Sequence, residues 1–147
     1  MSTKAESAEL ILKLYDLRRE AVMREARQWF AGFNPQSAQE VADTLAGKNA
    51  AYFRMVTSYW DMAAAFVNQG AIDEQMFNEA NAEHAFIFAK IEPLLEELRA
   101  MFGPLIVPNL EKLVMRMPDA KERMAQMREM SRKMAERRAA AEAADQR

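Results

Sequence analysis

The methionines near the carboxyl end are the residues whose type and spacing most suggest chemistry. Six of the chain's twelve methionines fall in the twenty residues that end at position 134: Met115, Met117, Met124, Met127, Met130 and Met134. On a helix with 100° per residue, those from Met117 onward share one arc of about 140°. Three interpretations compete for this face: a soft-metal site, a seam for self-pairing, and an apolar stripe that docks on a protein surface.

The first two interpretations lack support elsewhere in the sequence. Thioether sulfurs suit Cu(I), but the chain has no cysteine and its one histidine is far upstream, so we expect no metal site. A heptad pattern over residues 120–138 covers fewer than three heptads, which is short for a coiled coil. Its flanking positions are basic, so two identical helices would repel each other.

Charge favours the docking interpretation. From Arg116 onward the chain has nine basic and six acidic residues, whereas the preceding residues have eleven basic and sixteen acidic. An apolar stripe with basic flanks fits a groove with an acidic edge. The predicted partner-docking residues are Met124, Met127, Met130, Met134, Arg123 and Arg128. The sequence leaves open whether the groove belongs to the same chain or to a second copy, the latter giving a homodimer.

His84 is the only histidine and therefore the obvious candidate for a general base. It lies on the apolar stripe of a predicted helix, between Ala80 and Ile87, which favours a core histidine with one hydrogen-bond partner. No nucleophile motif accompanies it, and no Glu-x-x-His motif or glycine-rich phosphate loop is present. We therefore expect a non-enzymatic protein with no catalytic residue and no cofactor.

The aromatic residues offer a second functional hypothesis. A small molecule would bind in a pocket of the helical bundle whose lining is formed by Trp29, Tyr59, Trp60 and His84. The other interpretation is that facing helices use these rings as core anchors, with polar neighbours satisfying the indole and phenol groups.

Composition and charge exclude several classes of protein. The absence of cysteine excludes disulfide scaffolds and thiol chemistry, and a net charge of −2 predicts no general affinity for nucleic acid. Charge-free segments such as residues 62–72 and 100–110 are well short of the roughly 20 apolar residues that a membrane span needs. The first ten residues also lack the apolar region of a secretory signal. We expect a cytoplasmic protein that contacts neither membrane nor nucleic acid.

Helix-forming residues dominate, and the spacing of the apolar residues predicts an all-α bundle of five or six helices with a long C-terminal helix. The predicted helices are Lys4–Ala31, a short helix from Ser37 to Ala46, Lys48–Gln69, Glu74–Phe102 with a kink before Pro93, Asn109–Met117, and Asp119 to about Ala143. Residues 1–118 are expected to form the bundle core. Residues 119–147 are expected to form an amphipathic helix with a frayed end.

Three segments resemble an uncharacterised, all-helical bacterial family. They are the Leu-x-x-Leu-Arg-Arg-Glu stretch at residues 14–20, SYWDMAAAFVNQGAID at residues 58–73, and the helix end LRAMFG at residues 98–103. The likeness covers residues 10–113. It implies a helical fold and, because the family has no assigned activity, no catalytic role. The resemblance and the docking stripe together lead to one main hypothesis: the protein acts through protein contacts or self-association.

Overall fold

The computed structural model describes all of residues 1–147, and every element in it is helical. The all-α prediction is confirmed, but the expected five or six helices are too few, because two long predicted helices are interrupted. The elements are α1 (Lys4–Arg18), α2 (Ala21–Ala31), α3 (Ala38–Leu45), α4 (Ala50–Asn68), α5 (Glu74–Ala80), α6 (Glu83–Ile91), a 3-10 turn (Glu92–Leu94), α7 (Leu95–Phe102), α8 (Pro108–Val114) and α9 (Ala120–Asp145).

The first predicted helix divides at Arg19 and Glu20. Glu20 has an extended ψ of 143°, and its carboxylate accepts the backbone N–H of Met23 at 2.9 Å, so it caps α2. The guanidinium of Arg27 donates to the free carbonyl of Arg18 at 3.3 Å. The division allows α1 to pack on α5 while α2 packs on α4.

The fourth predicted helix, Glu74–Phe102, divides twice. Asn81 is extended, with φ −136° and ψ 141°, and its side-chain amide donates to the carbonyl of Phe77 at 3.1 Å, which ends α5. Further along, Pro93 lies in the 3-10 turn between α6 and α7, where the kink was predicted. Residues 74–102 therefore form three helices in place of one.

Side-chain caps fix the starts of three helices. Thr3 and Glu6 form a reciprocal capping box at α1. The hydroxyl of Ser37 accepts the backbone N–H of Glu40 at α3, and the carboxylate of Asp73 accepts that of Met76 at α5.

The core is one cluster centred on α4. Seven side chains of α4 are buried, and they face α2 on one side and α8 on the other. The largest fully buried side chains come from most of the helices: Trp60, Phe30, Phe77, Phe88, Ile72, Ile91, Leu98, Leu110, Leu113 and Met124. None of the helices has a run of apolar residues sufficient for a membrane crossing.

Helix α9 packs along α6, and its contact with the bundle is concentrated at its start. Ala120 and Met124 are its two buried residues, and Met124 belongs to the same core cluster as the bundle. Most of the later side chains of α9 are exposed.

Candidate functional site

A partly buried polar centre lies where α2, α4 and α6 meet. The guanidinium of Arg27 donates to both carboxylate oxygens of Glu83, at 3.0 Å from Nε to Oε1 and 2.7 Å from Nη2 to Oε2. The indole Nε1 of Trp60 also donates to Glu83, at 3.3 Å. Arg27 and Glu83 thus form a bidentate ion pair. The same carboxylate also accepts the indole N–H of Trp60, which gives this buried donor a hydrogen-bond partner.

His84 is buried beside this centre. Its Nε2 lies 3.0 Å from the side-chain oxygen of Asn78, while Nδ1 has no hydrogen-bond partner. A neutral ring with its proton on Nε2 suits this arrangement. Burial lowers the pKa of His84 to about 4, and the nearby Glu83 carboxylate opposes that shift only in part. An uncharged, enclosed imidazole is suited to packing, as the apolar spacing around it indicated.

The structure divides the four predicted pocket residues between two aromatic clusters. Trp60 lies at the centre of one, with ring centroids 4.9 Å from Tyr59 and 5.7 Å from His84. Trp29 lies in the other, where it stacks on Phe33 at 4.8 Å. The phenol of Tyr59 donates to the carbonyl of Leu14, and burial raises the pKa of Tyr59 to about 12.

A groove of about 760 Å³ lies elsewhere, between α4 and the loop that joins α7 to α8. None of the four predicted pocket residues lines it. Its apolar lining residues are Leu45, Phe53, Met62, Ile91, Phe102, Leu105, Ile106 and Val107. This groove was not predicted from the sequence, although the apolar run between Pro104 and Pro108 directly follows a helix stop and was an available signal. The volume falls within the range of small-molecule pockets.

Polar contacts fix the loop wall of this groove. Asp61, on α4, accepts the backbone N–H groups of Asn109 and Leu110 at 2.9 and 2.8 Å, so it caps the start of α8. Arg99 donates to the carbonyl of Ile106 at 3.0 Å. Val107 has the left-handed φ of 39°, which is unusual for a β-branched residue and is maintained by these neighbouring contacts.

The predicted methionine stripe does not face the bundle along its whole length. Met124 is fully buried and Met127 is partly buried against the core. Arg128 joins them, since its guanidinium donates to the carbonyl of Ala89 at 2.9 Å and lies 3.5 Å from the Glu92 carboxylate. These three predicted docking residues contact the chain's own bundle.

The other predicted docking residues face outward. Met130 is 57% exposed and Met134 is 45% exposed, and Arg123 is exposed without a side-chain hydrogen bond or ion pair. The physical reason is the helical period. Each three-residue step turns the side chain by about 60°, so the methionine spacing 124, 127, 130 moves off the packed face. The packed face continues instead through Ser131 and Ala135, which are partly buried.

Lys90 is a buried cation that sequence reasoning did not single out. Its ammonium donates to the carbonyls of Phe30 and Ala31 at 2.7 and 3.2 Å, at the carboxyl end of α2. Burial lowers the pKa of Lys90 to about 8, with a further lowering from Arg138 and an opposing effect of Glu83. Cations stabilise helix carboxyl ends, so the geometry gives Lys90 a structural role.

The structure contains no group of three or more histidine, aspartate or glutamate side chains placed to hold a metal ion.

Comparison with known proteins gives one result at the level of the family. No match was found among curated proteins or among solved structures. A family model does match, over residues 3–117, which is most of the chain and extends from the capping box of α1 to the turn before α9. The resemblance to an uncharacterised helical family is thereby confirmed: the chain belongs to DUF4760, a domain of unknown function.

Proposed function

We propose that this protein acts through protein contacts, and that the outward face of α9 docks on a second copy of the chain. The observation that carries the proposal is the pair Met130 and Met134. They are one turn apart and exposed, on a face of α9 that does not pack on the bundle. Arg123 lies on the same outward side. Met124 and Arg128, already engaged within the chain, are not part of the proposed interface.

Charge and length support a second copy as the partner. The residues from Arg116 onward carry a net charge of +3 (nine basic, six acidic), and residues 1–115 carry −5 (eleven basic, sixteen acidic). The basic face of one α9 therefore complements the acidic bundle of another copy better than it complements another α9. From Met127 to the carboxyl end, α9 extends for about 30 Å, which is enough for an interface of ordinary size.

The test is the mass in solution, measured by light scattering over a range of concentrations. We expect the wild-type chain to reach twice 16.8 kDa. The double variant Met130→Glu and Met134→Glu is expected to remain at the single-chain mass, because it places two carboxylates in the apolar contact. At a concentration low enough to exclude assembly, its melting temperature should match the wild type, since both side chains are exposed within the chain.

A matched control is Ala139→Glu with Ala143→Glu. It adds the same two charges to the same helix but on exposed positions away from Met130, and it should keep the double mass. A wild-type chain that stays at a single mass at every concentration would overturn the proposal. So would a methionine variant that still assembles.

Peroxide oxidation gives a second, independent measurement. In concentrated solution the interface should slow sulfoxide formation at Met130 and Met134, and dilution should remove that protection. Met124, buried in the chain itself, should react slowly at both concentrations. Oxidation of Met130 and Met134 at the same rate in both conditions would contradict the proposed contact.

A further inference from the structure

We infer that the groove beside α4 is a binding site for an anionic amphiphile, meaning a molecule with one apolar chain and one negatively charged head, such as a fatty-acid carboxylate. The first element of the argument is shape and surface. The groove has a volume of about 760 Å³ and eight of its twelve lining residues are apolar. Its rim is apolar but exposed to solvent: Leu105 is 85% exposed, and Phe102 and Met62 are also exposed. An apolar chain that covered these side chains would remove them from water.

The second element is the state of the four polar lining residues: Arg54, Thr57, Ser58 and Asp61. The hydroxyl of Thr57 donates to the carbonyl of Phe53 at 2.8 Å, and that of Ser58 lies 3.4 Å from the carbonyl of Met55. The carboxylate of Asp61 accepts two backbone N–H groups and also the side-chain amide of Asn109. These three residues are engaged by the protein itself.

Arg54 is different. Its guanidinium makes no hydrogen bond and no ion pair within the chain, and it is exposed at the groove. A planar guanidinium is suited to two parallel hydrogen bonds with a carboxylate. The groove therefore pairs an apolar surface with a single unused cationic donor, and that combination selects one negative charge attached to an apolar chain. A cationic amphiphile would fit the apolar surface equally well but would face Arg54 with the wrong charge.

The third element is that the site is formed before any ligand arrives. The loop wall is fixed at one end by Arg99, which donates to the carbonyl of Ile106, and at the other by Asp61 at the start of α8. A wall fixed in this way loses little conformational freedom on binding, so more of the contact free energy appears as affinity.

The probes are dodecanoate, dodecanol and dodecyltrimethylammonium, titrated into the full chain by calorimetry. The two ions are used below their micelle concentrations, and the alcohol is used below its solubility limit. We expect dodecanoate to bind at one molecule per chain with a negative heat-capacity change, which marks apolar burial. Dodecanol, which keeps the chain but lacks the charge, should bind about tenfold more weakly, and the cationic probe more weakly still.

Two variants locate the site. Arg54→Ala should weaken dodecanoate about tenfold and leave dodecanol unchanged, whereas Arg24→Ala, an exposed arginine away from the groove, should change neither. Ser58→Trp places a large side chain in the groove from an exposed position and should abolish binding of both probes. Melting temperatures near that of the wild type establish that the variants are folded.

Several results would overturn the inference. They are no saturable binding of dodecanoate, equal affinity for the anionic and cationic probes, dodecanoate affinity that Arg54→Ala leaves unchanged, and binding that survives Ser58→Trp. The readout is independent of the proposed contact through α9, because the Met130→Glu and Met134→Glu variant should bind dodecanoate like the wild type.

Discussion

Helices α4 and α9 are the two longest helices of the molecule, and they are stabilised in different ways. In α4, seven of nineteen residues are buried, among them Trp60 and Phe53. In α9, two of twenty-six residues are buried. Length is therefore no guide to how much a helix contributes to the core. The difference follows from composition, since α4 is rich in aromatic and aliphatic residues and α9 in alanine, arginine and glutamate.

Local interactions replace packing in the later part of α9. Arg132 pairs with Glu129 and Glu136, both at 2.5 Å and both within the same helix. Such exposed pairs at spacings of three and four residues support a helix without fixing it to anything else. Alanine adds high helix propensity. Residues beyond Arg128 form a helix because of their own sequence, whereas α4 forms because the bundle buries it.

The largest expected effect tests the α4 side of this comparison. Trp60→Ala removes a fully buried indole and leaves Glu83 without one of its donors. We expect the free energy of unfolding to fall by about 4 kcal/mol, measured by urea denaturation. An exposed position of α9 provides the control: Met134→Ala should change it by about 0.5 kcal/mol or less. Similar losses for the two variants would refute the contrast between the helices.

A smaller effect should distinguish the start of α9 from its later part by their contributions to the free energy of unfolding. Met124→Ala is expected to lower the free energy of unfolding by about 3 kcal/mol, because Met124 is fully buried in the core cluster. Met130→Ala, a few residues later in the same helix, should be within about 0.5 kcal/mol of the wild type. The measurement is again denaturant unfolding, at a concentration low enough to exclude assembly. A negligible effect at Met124 would mean that α9 does not dock on its own bundle.

The smallest effect is a pH dependence of the free energy of unfolding, caused by His84 on α6 beside Trp60 of α4. Below pH 6.5 the imidazole of His84 takes up a proton in the unfolded chain, while the folded ring, with a pKa of about 4, stays neutral. Protons therefore favour unfolding. We expect the free energy of unfolding to fall by up to about 2 kcal/mol between pH 6.5 and pH 5.

The sole histidine makes this prediction easy to isolate. The variant His84→Gln should have a nearly flat stability between pH 6.5 and pH 5, whatever its overall stability, because no other side chain of the protein ordinarily titrates there. Below that range both proteins should lose stability as carboxylates are protonated. An equal slope in the two proteins would show that His84 is not enclosed as described.

Local sequence rules predicted the helical class and several boundaries. The helix starts at Lys4 and Glu74 and the kink at Pro93 depend on residues a few positions apart, and each is present. The breaks at Glu20 and Asn81 were missed. Glutamate is an uncommon cap, and what makes each break favourable is packing of the two halves on different partners, which no local pattern reports.

The groove shows why the candidate site was harder to predict. Leu45, Phe53, Ile91 and Phe102 lie on four different helices, and the turns and divisions that bring them together were only partly predicted. Along the predicted methionine stripe, Met124 and Met127 pack on the bundle and Met130 does not. A stripe of methionines at mixed spacings of three and four residues resembles a continuous face in sequence, but an α-helix carries it gradually around the axis.

The contact between Lys90 and the end of α2 has a practical consequence for following the opening of this fold. All other lysines of the chain are exposed, so amine-directed labelling reagents should reach them at once, while the Lys90 amine stays shielded behind α2. Once α2 separates from α6, solvent and reagent reach that amine, and it reacts like the other lysines. The delay in the labelling of Lys90 relative to the other lysines therefore measures how often α2 separates from α6.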